Sequence, residues 1–149
     1  MHAESLNTTG RPSARPLIKL SSCVDFFDRD YDTLIIDVEN QQLRFAWDIA
    51  APGATRREVR VWRGSAMAFC QNQPVPKISE EEVYKLILPN RDIRSTELER
   101  IFSCKHQLIY QLSDLLEIVR GPTQAKGPMS YTIFSRPSIL EFLRKRRMS

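Results

Sequence analysis

The sequence predicts an α+β chain made of two related units, each running helix, helix, hairpin, helix, with a separate linking helix between them. Three observations carry that reading. Apolar residues recur at helical spacing in some segments and alternate strictly in others, the periods of an amphipathic helix and of a half-buried strand. The alternating segments come in pairs separated by Pro and Gly, the residues a hairpin turn needs. The second half also repeats the order of the first. "VWRGSAMAFC" lies over "FSRPSILEFL" at a separation of 73, pairing Arg63 with Arg136, Ser65 with Ser138 and Phe69 with Phe142, while "TLIIDVENQQL" lies over "LIYQLSDLLEI" at 75. The difference of two falls in the hairpin loop, where repeats tolerate a change of length.

Composition sets the bounds. The chain has 149 residues, 22 Lys and Arg against 18 Asp and Glu, a formal charge of +4 and 42% hydrophobic residues. That is room for one ordinary domain or two small ones, and units of about 60 residues bury too little surface alone, so they have to pack together. No apolar stretch approaches the roughly 18 residues of a membrane span, and the first residues lack the basic-then-apolar order of a secretory signal. A soluble cytoplasmic protein is expected. Cys23, Cys70 and Cys104 lie 47 and 34 residues apart with no C-x-x-C pair, so they are expected to be reduced and mostly buried. With His2 and His106 they make no metal centre, and no cofactor is expected. No G-x-x-x-x-G-K, G-x-G-x-x-G, H-E-x-x-H or G-x-S-x-G string occurs, which argues against an enzyme.

The elements follow in order. Residues 1–16 are polar and rich in Pro, Gly, Ser and Thr, and read as a disordered tail. Residues 17–73 form the first unit. "LIKLSSCVDFF" reads as a short helix capped by Ser21 or Ser22, and "DRDYDTLIIDVENQQL" as a second helix over Leu34 to Val38 behind Asp30 or Asp32, although "TLII" alone passes equally for a strand. "LRFAWDI" and "EVRVW" alternate as half-buried strands about a loop holding Pro52 and Gly53. "RGSAMAFCQ" gives a closing helix with Met67 and Phe69 or Cys70 turned inward.

Residues 74–90 hold the linking helix. Ser79 and Glu82 form a capping box ahead of a Val83, Leu86, Ile87 stripe. Residues 91–149 form the second unit. Ser95 caps a helix whose Leu98, Ile101 and Phe102 share one face. "SCKHQ" is a tight break, and "QLIYQLSDLL" points Leu108, Ile109, Leu112, Leu115 and Leu116 inward, leaving His106, Gln107, Tyr110, Gln111 and Asp114 outside. "EIVR" and "SYTIF" are strands flanking the loop "GPTQAKGPM", and the last helix opens on Pro137, buries Ile139, Leu140, Phe142 and Leu143, and ends in "RKRR".

Two short helices joined by a tight turn and followed by a β-hairpin make a winged helix-turn-helix. The second half resembles the excisionase and MerR-type DNA-binding domains, whose pattern is a capped helix, a turn, a second helix, a wing and a closing helix opened by R-x-S or R-P-S. The carriers are "STELERIFSCKHQLIYQL", "LLEIV" and "YTIFSRPSILEFLRKRR", over about residues 93–147, with a fainter echo in 18–72. The slot that the family usually fills with Gly before the first wing strand holds Leu116 in the second unit and Gln41 in the first.

The resemblance implies tandem units reading duplex DNA, the first of them degenerate, in transcription control or as an accessory factor in recombination. Groove reading needs long hydrogen-bonding side chains on the second helix and cations beside it. Gln107 and Gln111 offer amides one turn apart, Lys105 stands at the helix start, and His106 and Tyr110 are placed for phosphate or base contact. Arg120 and Lys126 on the wing, with Arg136, are expected to grip the flanking backbone. From Arg91 onward there are 11 Lys and Arg against 6 Asp and Glu, so the positive charge concentrates here. The first unit carries Asp28, Asp30, Asp32, Asp37 and Glu39 around "TLII", a surface that repels phosphate, and Arg56, Arg57, Arg60 and Arg63 about its wing. It is expected to serve packing, a homodimer or a protein partner. The competing expectation is a protein-interaction adaptor that keeps the fold without binding DNA.

Overall fold

Leu17–Lys19, expected to lead into a helix, form a strand instead. A computed structural model describes residues 15–120 and 132–148, so nearly all of the expected tail, and the wing loop that carries Lys126, lie outside the described residues. Strand β1 (Leu17–Lys19) is followed by a 3-10 turn at Leu20–Ser22, helix α1 (Cys23–Phe27) and helix α2 (Tyr31–Glu39). Ser22 makes no side-chain cap. The ambiguity of "TLII" resolves to helix because the Asp30 carboxylate accepts from the Thr33 amide at 2.8 Å and satisfies an amide that has no intrahelical partner. Strands β2 (Ala46–Asp48) and β3 (Val59–Trp62) and helix α3 (Arg63–Cys70) complete the first half. Helix α4 (Glu80–Ile87) carries the expected capping box at Ser79 and Glu82.

The second half runs β4 (Ile93–Arg94), α5 (Ser95–Ile101), α6 (His106–Leu112), a 3-10 turn at Ser113–Leu115, β5 (Ile118–Arg120), β6 (Ile133–Phe134) and α7 (Arg136–Lys145). It thus follows the element order of the first half, with an opening strand in each that hydrophobic patterning did not reveal. Both sheets are antiparallel and three-stranded, ordered β1-β3-β2 and β4-β6-β5. Their registers coincide at the sequence offsets: Ile18 faces Val61 and Lys19 faces Arg60, as Ile93 faces Phe134 and Arg94 faces Ile133. The Trp62 amide donates to the Phe45 carbonyl at 2.9 Å, and the Ser135 amide to that of Glu117 at 2.8 Å. In the slots where the resemblance expects Gly, Gln41 takes the left-handed conformation that Gly favours, with φ at +63°, whereas Leu116 is extended and buried.

The first sheet is buried on both faces. On one side Ala46, Val59 and Val61 pack with Leu20, Cys23, Leu34, Val38 and Ala66 from their own half. On the other, Leu17, Phe45, Trp47 and Ile49 share a core with Tyr84 of α4 and with Phe102, Ile109 and Phe142 of the second half. This corrects the expectation of half-buried strands, and it draws Arg60 into the interior. Its guanidinium donates to the Phe102 carbonyl at 2.7 Å and the Ser103 carbonyl at 3.2 Å, with Glu58 as counter-charge at 3.2 Å. Charge-assisted bonds to these carbonyls offset the cost of burying the cation.

Several inward positions also shift. The linking helix buries Val83, Tyr84 and Ile87 and exposes Leu86, since Tyr84 is needed to meet Trp47, whose indole N–H donates to its hydroxyl at 3.3 Å. In α3 the fully buried residues are Ser65 and Ala66, while Met67, Phe69 and Cys70 are partly buried, because a small face lets the helix approach its sheet. Helix α6 stops at Leu112, so Leu115 turns outward while Leu116 stays inside. Ser95 is the first residue of α5, with Arg94 in the capping position.

The "RKRR" terminus is drawn into the fold. Residues 146–148 add an antiparallel edge to β2: the Asp48 amide donates to the Arg146 carbonyl at 3.0 Å and the Met148 amide to that of Ala46 at 2.8 Å. Arg146 Nη1 donates to the Ala50 carbonyl at 2.6 Å, Arg144 pairs with Glu81 at 2.8 Å, and Arg147 pairs with Glu80.

Candidate nucleic-acid interface

Helices α5 and α6 pack directly and meet at a sharp turn, where Ser103 takes φ +50°. Ile109 and Leu112 anchor α6 to the core, which turns its other side to solvent: Lys105, His106, Gln107, Tyr110 and Gln111 are all exposed. Five of the eight expected site residues therefore share one open surface. Gln107 and Gln111 stand four residues apart, one turn of helix, on that surface.

Lys105 sits where a capping residue belongs. Its backbone is extended, with φ −90° and ψ 164°, and it makes no side-chain cap. The matching residue at an offset of 75 is Asp30, whose φ of −76° and ψ of 167° are nearly the same and whose carboxylate does cap. Hydrogen bonds from the Thr33 amide, the larger cause, and from the Thr33 side chain hold that carboxyl below its usual range. A cation in place of the cap leaves an amide to solvent and sets positive charge at the positive end of a helix. At the same offset the exposed side of α6 corresponds to Asp30, the cap of α2, and to Tyr31, Asp32, Ile35 and Ile36 within it, so Lys105 is matched by an acidic residue and the first half adds a second carboxylate at Asp32.

The remaining expected residues scatter. Arg120 ends β5 and is exposed, in register with Ile133 and through it with Arg94. Arg136 turns inward: its Nε donates to the Pro89 carbonyl at 2.8 Å and its amide to Asp92 at 3.0 Å. That ties the last helix to the end of the linking helix, which corrects the expectation of a free cation there. Lys126 lies outside the described residues. In the first half Arg60 is buried, so of the wing cations Arg56 and Arg57 are the ones left exposed.

Sequence reasoning missed Arg91, Arg94 and Arg100, which line an open depression of about 530 Å³ with Glu97 and Ile133. Arg91 holds Glu97 through two bonds, at 2.7 and 2.6 Å, and so depresses the pKa of that carboxyl. The strand β4, which brings Arg94 beside Ile133, was the missing signal. Among the described residues no three His, Cys, Asp or Glu side chains group to hold a metal ion, and no helix is long and apolar enough to cross a membrane. The chain matches no family model, no curated protein sequence and no solved structure.

Proposed function

We propose that the chain is a DNA-binding protein of two tandem winged helix-turn-helix units, in which α6 of the second unit enters the major groove and the first unit serves as a packing partner. The observation that carries this reading is Lys105. A residue that weakens the start of α6 stands beside an open row of His106, Gln107, Tyr110 and Gln111, and a local rule broken without structural return marks a functional surface. Lys105 and Arg120 supply phosphate contacts, and the two glutamines supply base contacts worth about 1–3 kcal/mol each in discrimination. Docking of the two units uses the Phe102–Ser103 turn and leaves the α6 face clear.

The test is fluorescence anisotropy of the full chain on random-sequence duplex at several salt concentrations, beside a Lys105→Ala, Gln107→Ala, Gln111→Ala variant. A steep salt dependence that the variant flattens supports the reading. Absence of binding at low salt removes it. One observation favours a second reading, a protein-interaction adaptor: Tyr110, Leu115, Ile118 and Val119, close in sequence around α6 and β5, are all exposed, at 44 to 65%. A contiguous patch of such side chains is typical of a protein-binding surface, and salt-insensitive binding to a protein with none to DNA would favour it.

A further inference from the structure

We propose that copies of this chain associate head to tail, with the outer face of the second sheet seated on the α1–α2 turn of another copy. The precedent is inside the chain. The outer face of the first sheet, with Lys19, Arg60 and Trp47 in cross-strand register, docks on the α5–α6 turn of the second half. There Arg60 holds the Phe102 and Ser103 carbonyls, and the Ser103 hydroxyl donates back to the Leu17 carbonyl. This contact joins two different surfaces, so it is heterologous and leaves one unused counterpart at each end of the molecule.

Both counterparts are present and open among the described residues. At the corresponding register of the second sheet stand Arg94, Ile133 and Arg120, in place of Lys19, Arg60 and Trp47. Arg94 and Arg120 are exposed and Ile133 is partly so. The counterpart of the Phe102–Ser103 turn is Phe27–Asp28, and Asp28 repeats the left-handed backbone of Ser103, with φ +53° against +50°.

The two surfaces carry opposite charge. Asp25, Asp28, Asp30 and Asp32 are exposed about the α1–α2 turn, and the nearby cation Arg29 is taken up by Asp37 at 2.9 Å. Around the sheet face lie Arg94, Arg100 and Arg120. Of the acidic residues there, Glu97 is held by Arg91 and Asp92 accepts from the Arg136 amide. Arg94 and Arg120 flanking Ile133 thus offer two cations to a turn of carbonyls and carboxylates where the intrachain contact uses Arg60. Opposed patches of this kind steer association and fix its orientation. The inference rests on the docking of the two halves and not on DNA binding.

Sedimentation velocity of the full chain without DNA tests it, in low and high salt. The weight-average mass is expected to rise severalfold between about 2 and about 200 µM protein at low salt, as a micromolar contact with an open counterpart on every oligomer requires, and to fall back at high salt. Arg94→Glu with Arg120→Glu, and separately Asp28→Lys with Asp32→Lys, should each abolish the rise. Mixing the two variants should restore it, since each reversed surface then meets its complement; restoration also shows that both variants are folded. A chain that stays monomeric throughout at low salt overturns the proposal, as does association that neither variant changes. If the arginine variant loses duplex binding while the parent never self-associates, the sheet face belongs to DNA and the proposal fails.

Discussion

Replacing Lys105 by Ser should make the protein more stable and a poorer DNA binder. The backbone at 105 already has the extended conformation of a capping residue, with φ −90° and ψ 164°, so Ser fits without rearrangement and its hydroxyl can accept from an amide of the first turn of α6. A gained cap is worth about 1 kcal/mol. Removing a cation from the positive end of the helix adds about 0.3–1 kcal/mol at low ionic strength. The sum is about 1–2 kcal/mol, which at this chain length raises Tm by roughly 3–6 °C. Lys105 is exposed, so no packing is lost to set against the gain. On DNA the same change removes one phosphate contact, weakening binding about equally for all sequences and reducing the salt slope by about 1. Thermal melts and anisotropy titrations on one preparation measure both. Unchanged or lowered stability refutes the capping argument, and a stabilised variant with undiminished binding and salt slope refutes the role given to Lys105.

Three further outcomes are expected. Arg60→Ala leaves the Phe102 and Ser103 carbonyls buried without their donor, at about 1–3 kcal/mol each, so a total loss of about 3–5 kcal/mol should appear in denaturant unfolding followed by tryptophan fluorescence; a loss under about 1 kcal/mol shows that the contact does not hold the halves together. Stability should fall as pH rises above about 9, because burial pushes the Cys23 thiol up from 9.0 to about 12 and the Cys104 thiol to about 11, and raises Tyr84 as well. These groups keep their protons in the folded state after the unfolded chain has lost them, so their contribution is complete below pH 9 and is lost upward through the folded values; a flat profile from pH 8 to pH 11 contradicts that burial. Gln41→Gly, at an exposed residue with φ +63°, should stabilise by about 0.5–1 kcal/mol in the same unfolding assay, and a destabilised variant shows that the backbone there is not strained.

Hydrophobic spacing was sufficient for two helices of the second half, although the same spacing misplaced Leu86 of α4. The Leu98, Ile101, Phe102 face is buried as the spacing requires, and so are Ile139, Phe142 and Leu143 of the last helix. The capping box at Ser79 and Glu82 was legible for the same reason, being complete within four residues. Short elements were not legible. Strands β1 and β4 have three and two residues, too few to show a period, and they exist because β3 and β6 offer edges to pair with. Their absence from the sequence reading hid the cluster of Arg91, Arg94 and Arg100 as well. Of the proposed DNA contacts, the row from Lys105 to Gln111 was readable because one helix displays it, whereas Arg136 was misread because its partner, the Pro89 carbonyl, lies 47 residues away.

The sequence by itself determined the α+β character, the helices with long apolar faces, and the repeated order that relates positions 73 to 75 residues apart. Local periods and caps act within a few residues of chain, so they are written in it directly. Tertiary structure alone decided which charges are available. Arg60 and Arg136 look like surface cations in sequence yet are spent on carbonyls, and the four basic residues at the terminus are paired or tucked against β2, while Lys105 and Arg94 stay exposed. The physical reason is that a second layer of protein covers the outer face of the first sheet. Alternation in a strand reports its two faces and carries no information on whether water or another unit lies against the polar one.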